Sequence, residues 1–207
     1  PVRVVFGQDT IAQLARLIEP GRRVMLIYGG GSIKQNGVYD QVRAALAGFE
    51  VCEFGGIEAN PQYLTCLKAV AAIRAAGSDF LLAVGGGSVI DATKFIAAAA
   101  CFEGPEPWDL VTYRAQPRAA LPLGCVLTLP ATGSEMNSGA VISRAEIGRK
   151  LPFTNPLVYP RFAVLDPRTT YSLPRRQLVN GIVDRCACLR TVPDLSGRQP
   201  PAGSAGR

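Results

Sequence analysis

An apolar run from Phe80 to Val84 that stops at three glycines constrains the fold of this chain more than any other feature. The run predicts a buried strand, and the residues from Ser88 to Ala100 predict a helix that Ser88 caps. Glycines let a backbone approach a phosphate closely, and a helix N-terminus presents free N–H groups and the positive end of a dipole. The segment therefore predicts an anion-binding cradle. The alternative is a glycine turn that only connects the strand to the helix and binds no ligand.

The residues that follow the glycines favour a ligand site. Asp91 and Lys94 lie three and six residues past Ser88, which would place them near the mouth of the cradle on the first turns of the helix. The alternative is a solvated pair on an exposed helix face. The glycine spacing is neither the GxGxxG dinucleotide fingerprint nor a P-loop, because no Lys-Ser/Thr pair follows the last glycine.

Strands and helices alternate along the chain with short glycine connections, which predicts an α/β fold with a doubly wound parallel sheet. In such sheets ligands bind outside the carboxyl ends of the strands. Three glycine segments, 29–32, 55–60 and 85–88, follow strands and so predict a nucleotide site. The proline-rich segment 103–122, which contains Trp108, is expected to be a surface loop. Predicted strands are 2–6, 24–28, 51–54, 80–84, 124–129, 140–144 and 162–165, and predicted helices are 9–18, 38–47, 62–76, 88–100 and one that begins at 174.

The composition describes a globular protein, with 48% hydrophobic and 18% charged residues. The net charge of +6 comes mostly from scattered arginines, so we expect no nucleic-acid partner. Six cysteines lack metal-finger spacing, and no secretory signal precedes them. No apolar run reaches membrane-spanning length, so we expect a cytoplasmic protein with reduced thiols and no membrane partner.

Two motifs carry a family resemblance. The segment from Gly85 to Lys94 (GGGSVIDATK), followed by that from Leu129 to Glu135 (LPATGSE), resembles the iron-containing alcohol dehydrogenase family. Within that family the chain is most similar to the branch of NADPH-dependent butanol dehydrogenases and aldehyde reductases. The resemblance implies a Rossmann-like, dehydroquinate-synthase-like sheet domain followed by a helical metal-binding domain that is largely absent here. The implied division is a dinucleotide-binding domain over 1–173, the first helix of the helical domain over 174–184, and a non-homologous, disordered tail over 185–207.

The resemblance implies a nicotinamide dinucleotide coenzyme. The backbone at the glycine cradle would hold the pyrophosphate, Asp91 would lie by the nicotinamide, and Lys94 would add charge or anchor the ribose. The hydroxyl groups of Thr128, Thr132 and Ser134 would contact the phosphates and the nicotinamide ribose or amide. The alternative for Ser134 is an ordinary helix cap, and the two roles are compatible. The residues implied for the coenzyme are Gly30, Gly31, Ser32, Lys34, Asn60, Gly86, Gly87, Ser88, Asp91, Lys94, Thr128, Thr132, Ser134, Asn137 and Lys150.

The resemblance also bears on the choice between NADPH and NADH. NAD-preferring members place an acidic residue just after the second strand, and that position here is Gly30. Without a carboxylate there, Ser32 and Lys34 would bind a 2′-phosphate through a hydroxyl and a positive charge. We therefore expect NADPH, with a solvated Lys34 as the alternative.

The family's metal, Fe²⁺ or Zn²⁺, is held by one Asp and three His. Asp184 matches the Asp, but Cys188 stands where the next His is expected, and the chain contains no His. One carboxylate does not make such a site. We therefore expect this polypeptide to bind coenzyme without turnover.

A frameshift near codon 185 would explain the missing ligands. Codons can be chosen for residues 186–194 that, shifted by one base, read Val-His-Ala-Tyr-Glu-Gln-Tyr-Leu-Thr, which resembles the family's continuation and includes its His. Sequencing the encoding DNA tests this hypothesis. The low-complexity residues 196–207 fit the same explanation.

The predicted function is the coenzyme-binding part of a metal-dependent NADP(H) alcohol dehydrogenase or aldehyde reductase, which acts on a small aldehyde or alcohol. A homodimer stays open. The alternatives are a non-catalytic nucleotide-binding fragment, and a relative that resembles glycerol dehydrogenase or dehydroquinate synthase.

Overall fold

A computed structural model describes the backbone of residues 1–191 and the side chains of residues 1–183. Its central feature is a six-stranded sheet in the order β1-β8-β5-β4-β2-β3, in which every neighbouring pair is parallel. A separate antiparallel hairpin joins β6 to β7. The strands are β1 (Arg3–Phe6), β2 (Arg23–Tyr28), β3 (Glu50–Phe54), β4 (Phe80–Gly86), β5 (Leu123–Leu129), β6 (Gly139–Arg144), β7 (Arg149–Thr154) and β8 (Phe162–Leu165).

Helices cover both faces of the sheet, as the alternating pattern predicts, and the doubly wound α/β fold is confirmed. Two helices of fourteen residues, α4 and α5, are the longest in the part of the chain up to residue 172. The helices are α1 (Leu14–Leu17), α2 (Ser32–Gln35), α3 (Val38–Ala45), α4 (Tyr63–Ala76), α5 (Gly87–Ala100), α6 (Trp108–Val111) and α7 (Arg175–Thr191).

The sheet is buried on both faces because successive strand residues point to opposite sides. In β2, Met25 and Ile27 pack into the cluster that also contains Phe95 of α5. Leu26, between them, packs on the opposite side with Val42 of α3. Burial on both faces accounts for the continuous apolar runs that predicted these strands.

The β6–β7 hairpin closes over α5. Phe153 of β7 meets Phe95 edge-on, with ring centroids 6.1 Å apart, and Ser143 of β6 forms an isolated bridge with Gln62 just before α4. The sequence predicted β6 but not β7, because Arg149, Lys150 and Pro152 interrupt its apolar pattern.

Three local predictions were wrong. Trp108 is only 6% exposed, because its ring packs edge-on against Tyr63 at 5.2 Å, so the segment 103–122 is not simply a surface loop. The predicted helix 9–18 is a 3-10 turn over Thr10–Gln13 followed by the short α1, and Asp9 before it has a φ of 59°. Ser88 does not cap α5, as described below.

The chain divides into two compact units, Pro1–Ser172 and the residues from Leu173 onward. In the second unit α7 continues past Asp184 to Thr191, where the sequence predicted no helix. The residues between Asp184 and Thr191 include good helix formers such as Ala187, and no Gly or Pro interrupts them. The rest of the predicted tail, 192–207, lies outside the described residues. No helix within the described part is long and apolar enough to span a membrane.

Candidate functional site

The carboxyl ends of the central parallel strands lie along one edge of the sheet, and the predicted coenzyme residues follow these ends. The register between β4 and β5 shifts at Gly85 and Gly86, so Gly86 pairs with Leu129 and the strand passes directly into α5 at Gly87. This bulge brings the first turn of α5 next to the loop that follows β5.

The glycines of this segment are required by close packing. A Cβ on Gly87 would overlap the side chain of Thr132, and a Cβ on Gly85 would lie 2.6 Å from Val89 Cγ2. A Cβ on Gly86 would lie 3.2 Å from Leu129 Cβ. Only hydrogen fits at the first two positions. Packing of Thr132 and Val89 against the backbone therefore accounts for Gly87 and Gly85. The cradle itself is the N-terminus of α5, whose first backbone N–H groups have no partner within the helix and can bind an anion.

Ser88 does not cap α5 as predicted. Its Oγ donates a hydrogen bond to the carbonyl of Ala59, in the connection between β3 and α4, while the extended residue Gly86 occupies the cap position. The hydroxyl therefore fastens the β3–α4 connection to the cradle instead of closing the helix.

Asp91 joins the cradle to the loop after β5. Its Oδ1 accepts a hydrogen bond of 2.8 Å from Ser134 Oγ, and its Oδ2 accepts one of 2.9 Å from the backbone N–H of Val141. Thr132 Oγ1 lies 2.8 Å from Ser134 Oγ and accepts from the Ser134 N–H. Burial raises the pKa of Asp91, and the two hydrogen bonds oppose that shift. Gly133, not Ser134, stands at the cap of the short 3-10 turn 134–136.

Lys94 is fully buried, which excludes a solvated helix face for it. Its ammonium donates to Asn137 Oδ1 over 2.9 Å and to the carbonyl of Gly139 over 2.7 Å. Burial lowers its pKa to about 8. The ammonium thus faces protein oxygens and holds the start of β6, and any contact with a ribose stays a prediction.

The surface around the start of α5, bordered by the loop after β5 and the β3–α4 connection, forms a groove. Two further predicted residues bind each other at its side. Lys150 Nζ donates to Asn60 Oδ1 over 2.8 Å, and both side chains are exposed. The bond joins the hairpin to the β3–α4 connection beside Ser88. Thr128 is partly exposed near the end of β5, on the same edge of the sheet.

The region after β2 is open at Gly30 and Gly31, since a Cβ on either would have no neighbour within 4 Å. Ser32 begins α2, and its side chain is exposed. Lys34, however, is not simply solvated. Its Nζ lies 3.8 Å from Glu53 Oε2 on β3, so a carboxylate does stand near the expected phosphate position.

The glycine cradle and its polar rim can be compared with known proteins. A protein-family model described as iron-containing alcohol dehydrogenase matches residues 1–167. The chain belongs to the iron-containing alcohol dehydrogenase family. This membership confirms the resemblance carried by the two motifs.

Members of this family match the chain at high identity. The chain is 55% identical over 186 residues to the NADPH-dependent aldehyde reductase YqhD of Escherichia coli, covering 89% of this chain and 48% of that protein. It is 50% identical over 187 residues to the probable NADH-dependent butanol dehydrogenase 1 of Bacillus subtilis, with the same coverage of 89% and 48%. The chain thus spans about half the length of the curated relatives it matches.

Solved structures of the family have the same fold. The crystal structure of the E. coli protein superposes with a TM-score of 0.85 at 56% identity, over 89% of this chain and 48% of that one. The NADH-dependent butanol dehydrogenase A of Thermotoga maritima gives a TM-score of 0.86 at 40% identity, over 90% and 48%. The Rossmann-like fold class is therefore confirmed for the sheet domain.

The family's divalent metal finds no site in the described part of this chain. Among residues whose side chains are described, no group of three or more His, Cys, Asp or Glu could hold a metal ion. The sequence has no His, and the side chain of Asp184 lies outside the described residues. The side chains of residues 1–183 therefore supply no donor set for the metal that the family implies, and Asp184 as a ligand stays a prediction.

Sequence reasoning missed several groups at the groove. The Val141 N–H and the Gly139 carbonyl bind Asp91 and Lys94, but backbone groups give no signal in a sequence. Glu53 and Tyr39 were also missed. The sequence offered one signal for this pair, because Glu53 is an acidic residue on the strand that follows β2.

Proposed function

We propose that this chain is the coenzyme-binding part of an NADP(H)-dependent alcohol dehydrogenase or aldehyde reductase. The observation that carries the proposal is the position of the glycine cradle, where α5 begins at Gly87 directly after the carboxyl end of the central strand β4. Backbone N–H groups and the positive end of a helix of fourteen residues would bind the pyrophosphate there. NADPH, when bound, would supply the hydride for reduction of a carbonyl.

The residues around the cradle would orient the coenzyme. Thr132 presents an exposed hydroxyl beside the cradle, whereas Ser134 is buried and links Thr132 to the Asp91 carboxylate. Lys94 donates a hydrogen bond to Asn137, so α5 binds the loop after β5 at both Ser134 and Asn137. Lys150 and Asn60 would form the opposite wall. A groove held by this many internal hydrogen bonds would not need to rearrange to bind its ligand.

We expect NADPH to bind more tightly than NADH. Gly30 leaves space for a 2′-phosphate, and Lys34 offers a positive charge close by. Names of the relatives support both coenzymes, since the E. coli protein is called NADPH-dependent and the B. subtilis protein NADH-dependent. Dissociation constants for the two coenzymes, with and without Lys34→Ala, would test the expectation. Equal affinities that the substitution leaves unchanged would contradict it.

The substrate class is a small aldehyde or alcohol, by analogy with the relatives named as aldehyde reductase and butanol dehydrogenases. Reduction builds negative charge on the carbonyl oxygen, which a donor or cation must stabilise. The described residues supply no metal cluster for this purpose. We therefore expect the 207-residue chain to bind NADPH without turnover, and metal-dependent oxidation of NADPH by an added aldehyde would refute that expectation.

The second candidate, a non-catalytic nucleotide-binding fragment, is favoured by the same lack of a metal cluster in the described side chains. The turnover assay separates the two, provided that binding of NADPH is measured on the same sample. A cytoplasmic location and a homodimer stay predictions, and size-exclusion chromatography with light scattering would test the homodimer.

A further inference from the structure

Glu53 is the centre of a charged cluster at the carboxyl ends of β2 and β3. Tyr39 Oη donates a hydrogen bond of 2.6 Å to its Oε1, and Tyr28 Oη lies 3.4 Å from its Oε2. Lys34 Nζ is 3.8 Å from Oε2, and the Arg43 guanidinium is 3.7 Å from Oε1. Two cations and one carboxylate leave the cluster with one net positive charge.

The two tyrosines fix the position of the Lys34 ammonium. Its Nζ lies 4.9 Å from the ring centroid of Tyr28 and 4.7 Å from that of Tyr39, so two aromatic faces and Glu53 attract it together. The rings meet edge-on with centroids 6.4 Å apart. Lys34 is thus held against β3 and does not extend freely from α2.

The position of Tyr28 depends on a glycine. A Cβ on Gly55 would lie 2.6 Å from Tyr28 Cε2 and 3.0 Å from its hydroxyl oxygen, so the ring covers the backbone just after β3. The Gly56 N–H donates to the carbonyl of Gly29, and the Ile57 N–H donates to that of Tyr28. The cluster is therefore built into the same strand ends that form the groove.

We propose that Glu53 limits the preference of this groove for NADPH by competing with the 2′-phosphate of NADPH for Lys34. The inference rests on the proposed function, because it places the adenosine ribose beside Gly30 and Ser32. A 2′-phosphate that reaches Lys34 approaches the Glu53 carboxylate, and two anions repel each other when they share one cation. NADH carries a hydroxyl at that position and meets little repulsion. Glu53 thereby limits a preference that Gly30 and Lys34 would otherwise favour.

The experiment compares Glu53→Gln with the parent chain. This change keeps the shape of the side chain and removes its charge. We measure dissociation constants for NADPH, NADH, adenosine 2′,5′-bisphosphate and 5′-AMP by isothermal titration. The expected result is about threefold tighter binding of the two 2′-phosphorylated ligands, the size of an exposed ion-pair effect, with the other two changed by less than about 1.5-fold. Glu53→Ala serves as a second variant with the same expected direction.

Two controls isolate the mechanism. Glu50→Gln removes the same charge from the exposed amino end of the same strand and should change none of the four constants. In a Lys34→Ala background the gain from Glu53→Gln should fall below about 1.5-fold, because the cation for which Glu53 competes is gone. Circular dichroism and thermal unfolding confirm that each variant is folded.

The outcomes separate this inference from the proposed function. Equal effects on phosphorylated and unphosphorylated ligands, or weaker binding of 2′-phosphate after Glu53→Gln, would overturn the role of Glu53 while coenzyme binding stands. Failure of the parent chain to bind either coenzyme, with tight binding of adenosine 2′,5′-bisphosphate that Glu53→Gln strengthens, would overturn the proposed function alone. If none of the four ligands binds, both are wrong.

Discussion

The buried lysine allows a sharp test of the structure. Lys94 is fully buried, and within residues 1–183 its ammonium forms hydrogen bonds with two neutral oxygens, those of Asn137 and Gly139. Burial lowers its pKa from 10.5 to about 8, although nearby Asp91, Cys125 and Glu135 oppose the shift. The perturbation is Lys94→Met, which keeps a long unbranched side chain and removes the charge.

The magnitude follows from proton linkage. The native pKa lies below the unfolded pKa, so between about pH 8 and 10.5 the unfolded chain carries a proton that the native chain lacks. At neutral pH the buried charge of Lys94 therefore lowers the free energy of unfolding by about 3 kcal/mol. This loss disappears as the pH rises through the window. Between pH 7 and 9.5 the parent should gain about 2 kcal/mol relative to Lys94→Met.

The comparison with the variant is essential because buried thiols act in the opposite direction. Burial raises the pKa of Cys66 and Cys125 to about 12, so the unfolded chain ionises first and stability falls as the pH rises above 9. Both thiols are present in the parent and in the variant. Lys94 lowers the pKa of Cys125, but with a pKa of about 12 this thiol is protonated in the native state at pH 9.5 with or without the lysine, so the thiol contributions cancel in the difference.

The assay is urea unfolding at pH 7 and 9.5, followed by the fluorescence of Trp108, the single tryptophan, which is buried. Lys68→Met, an exposed lysine on α4, is the matched control and should show no such difference. Parallel pH profiles for the parent and Lys94→Met would refute the burial argument.

Two further predictions concern the cradle and the thiols. Gly87→Ala should weaken NADPH binding by about tenfold and lower the unfolding free energy by about 1–3 kcal/mol, because the new Cβ displaces Thr132. The control is Gly30→Ala, where space is open, and it should change the unfolding free energy by less than about 0.5 kcal/mol. Titration and urea unfolding measure both quantities, and equal effects would contradict the packing argument. Cys66 and Cys125 should resist a thiol reagent at pH 8 until urea unfolds the chain, since burial raises the pKa of both thiols. Mass spectrometry of labelled peptides reports each site, and rapid labelling without urea would contradict their burial.

Sequence patterns were sufficient for the sheet because its strands are buried on both faces. The run before the three glycines predicted β4, and the observed strand begins at Phe80 as expected. The pattern failed for β7, where Arg149 and Lys150 precede a proline and only Phe153 is buried. A strand of a small hairpin has one face to bury, so its apolar signal is weaker.

The chemistry of the site was predicted less completely, because charged side chains depend on tertiary pairing. Lys94 resembles a solvated helix lysine in the sequence, but tertiary packing buries it and brings Asn137 and the Gly139 carbonyl to its ammonium. Glu53 resembles a solvated strand residue, and only the β2–β3 register, with Leu26 opposite Glu53, brings it to Lys34. A local pattern contains neither fact.

The Asp91 carboxylate links two of the segments around the groove. Asp91 accepts from Ser134 on the loop after β5 and from the Val141 N–H on β6, so a single side chain on α5 fixes two separate segments. One turn further on, Lys94 binds Asn137 and the Gly139 carbonyl between those same segments. Buried polar groups that satisfy one another in this way favour a single arrangement, because breaking any one bond leaves a buried partner unpaired. All of these contacts lie within the unit Pro1–Ser172, so the geometry that would bind the coenzyme is formed by that unit's own side chains. We therefore expect coenzyme binding to depend on the side chains of that unit alone.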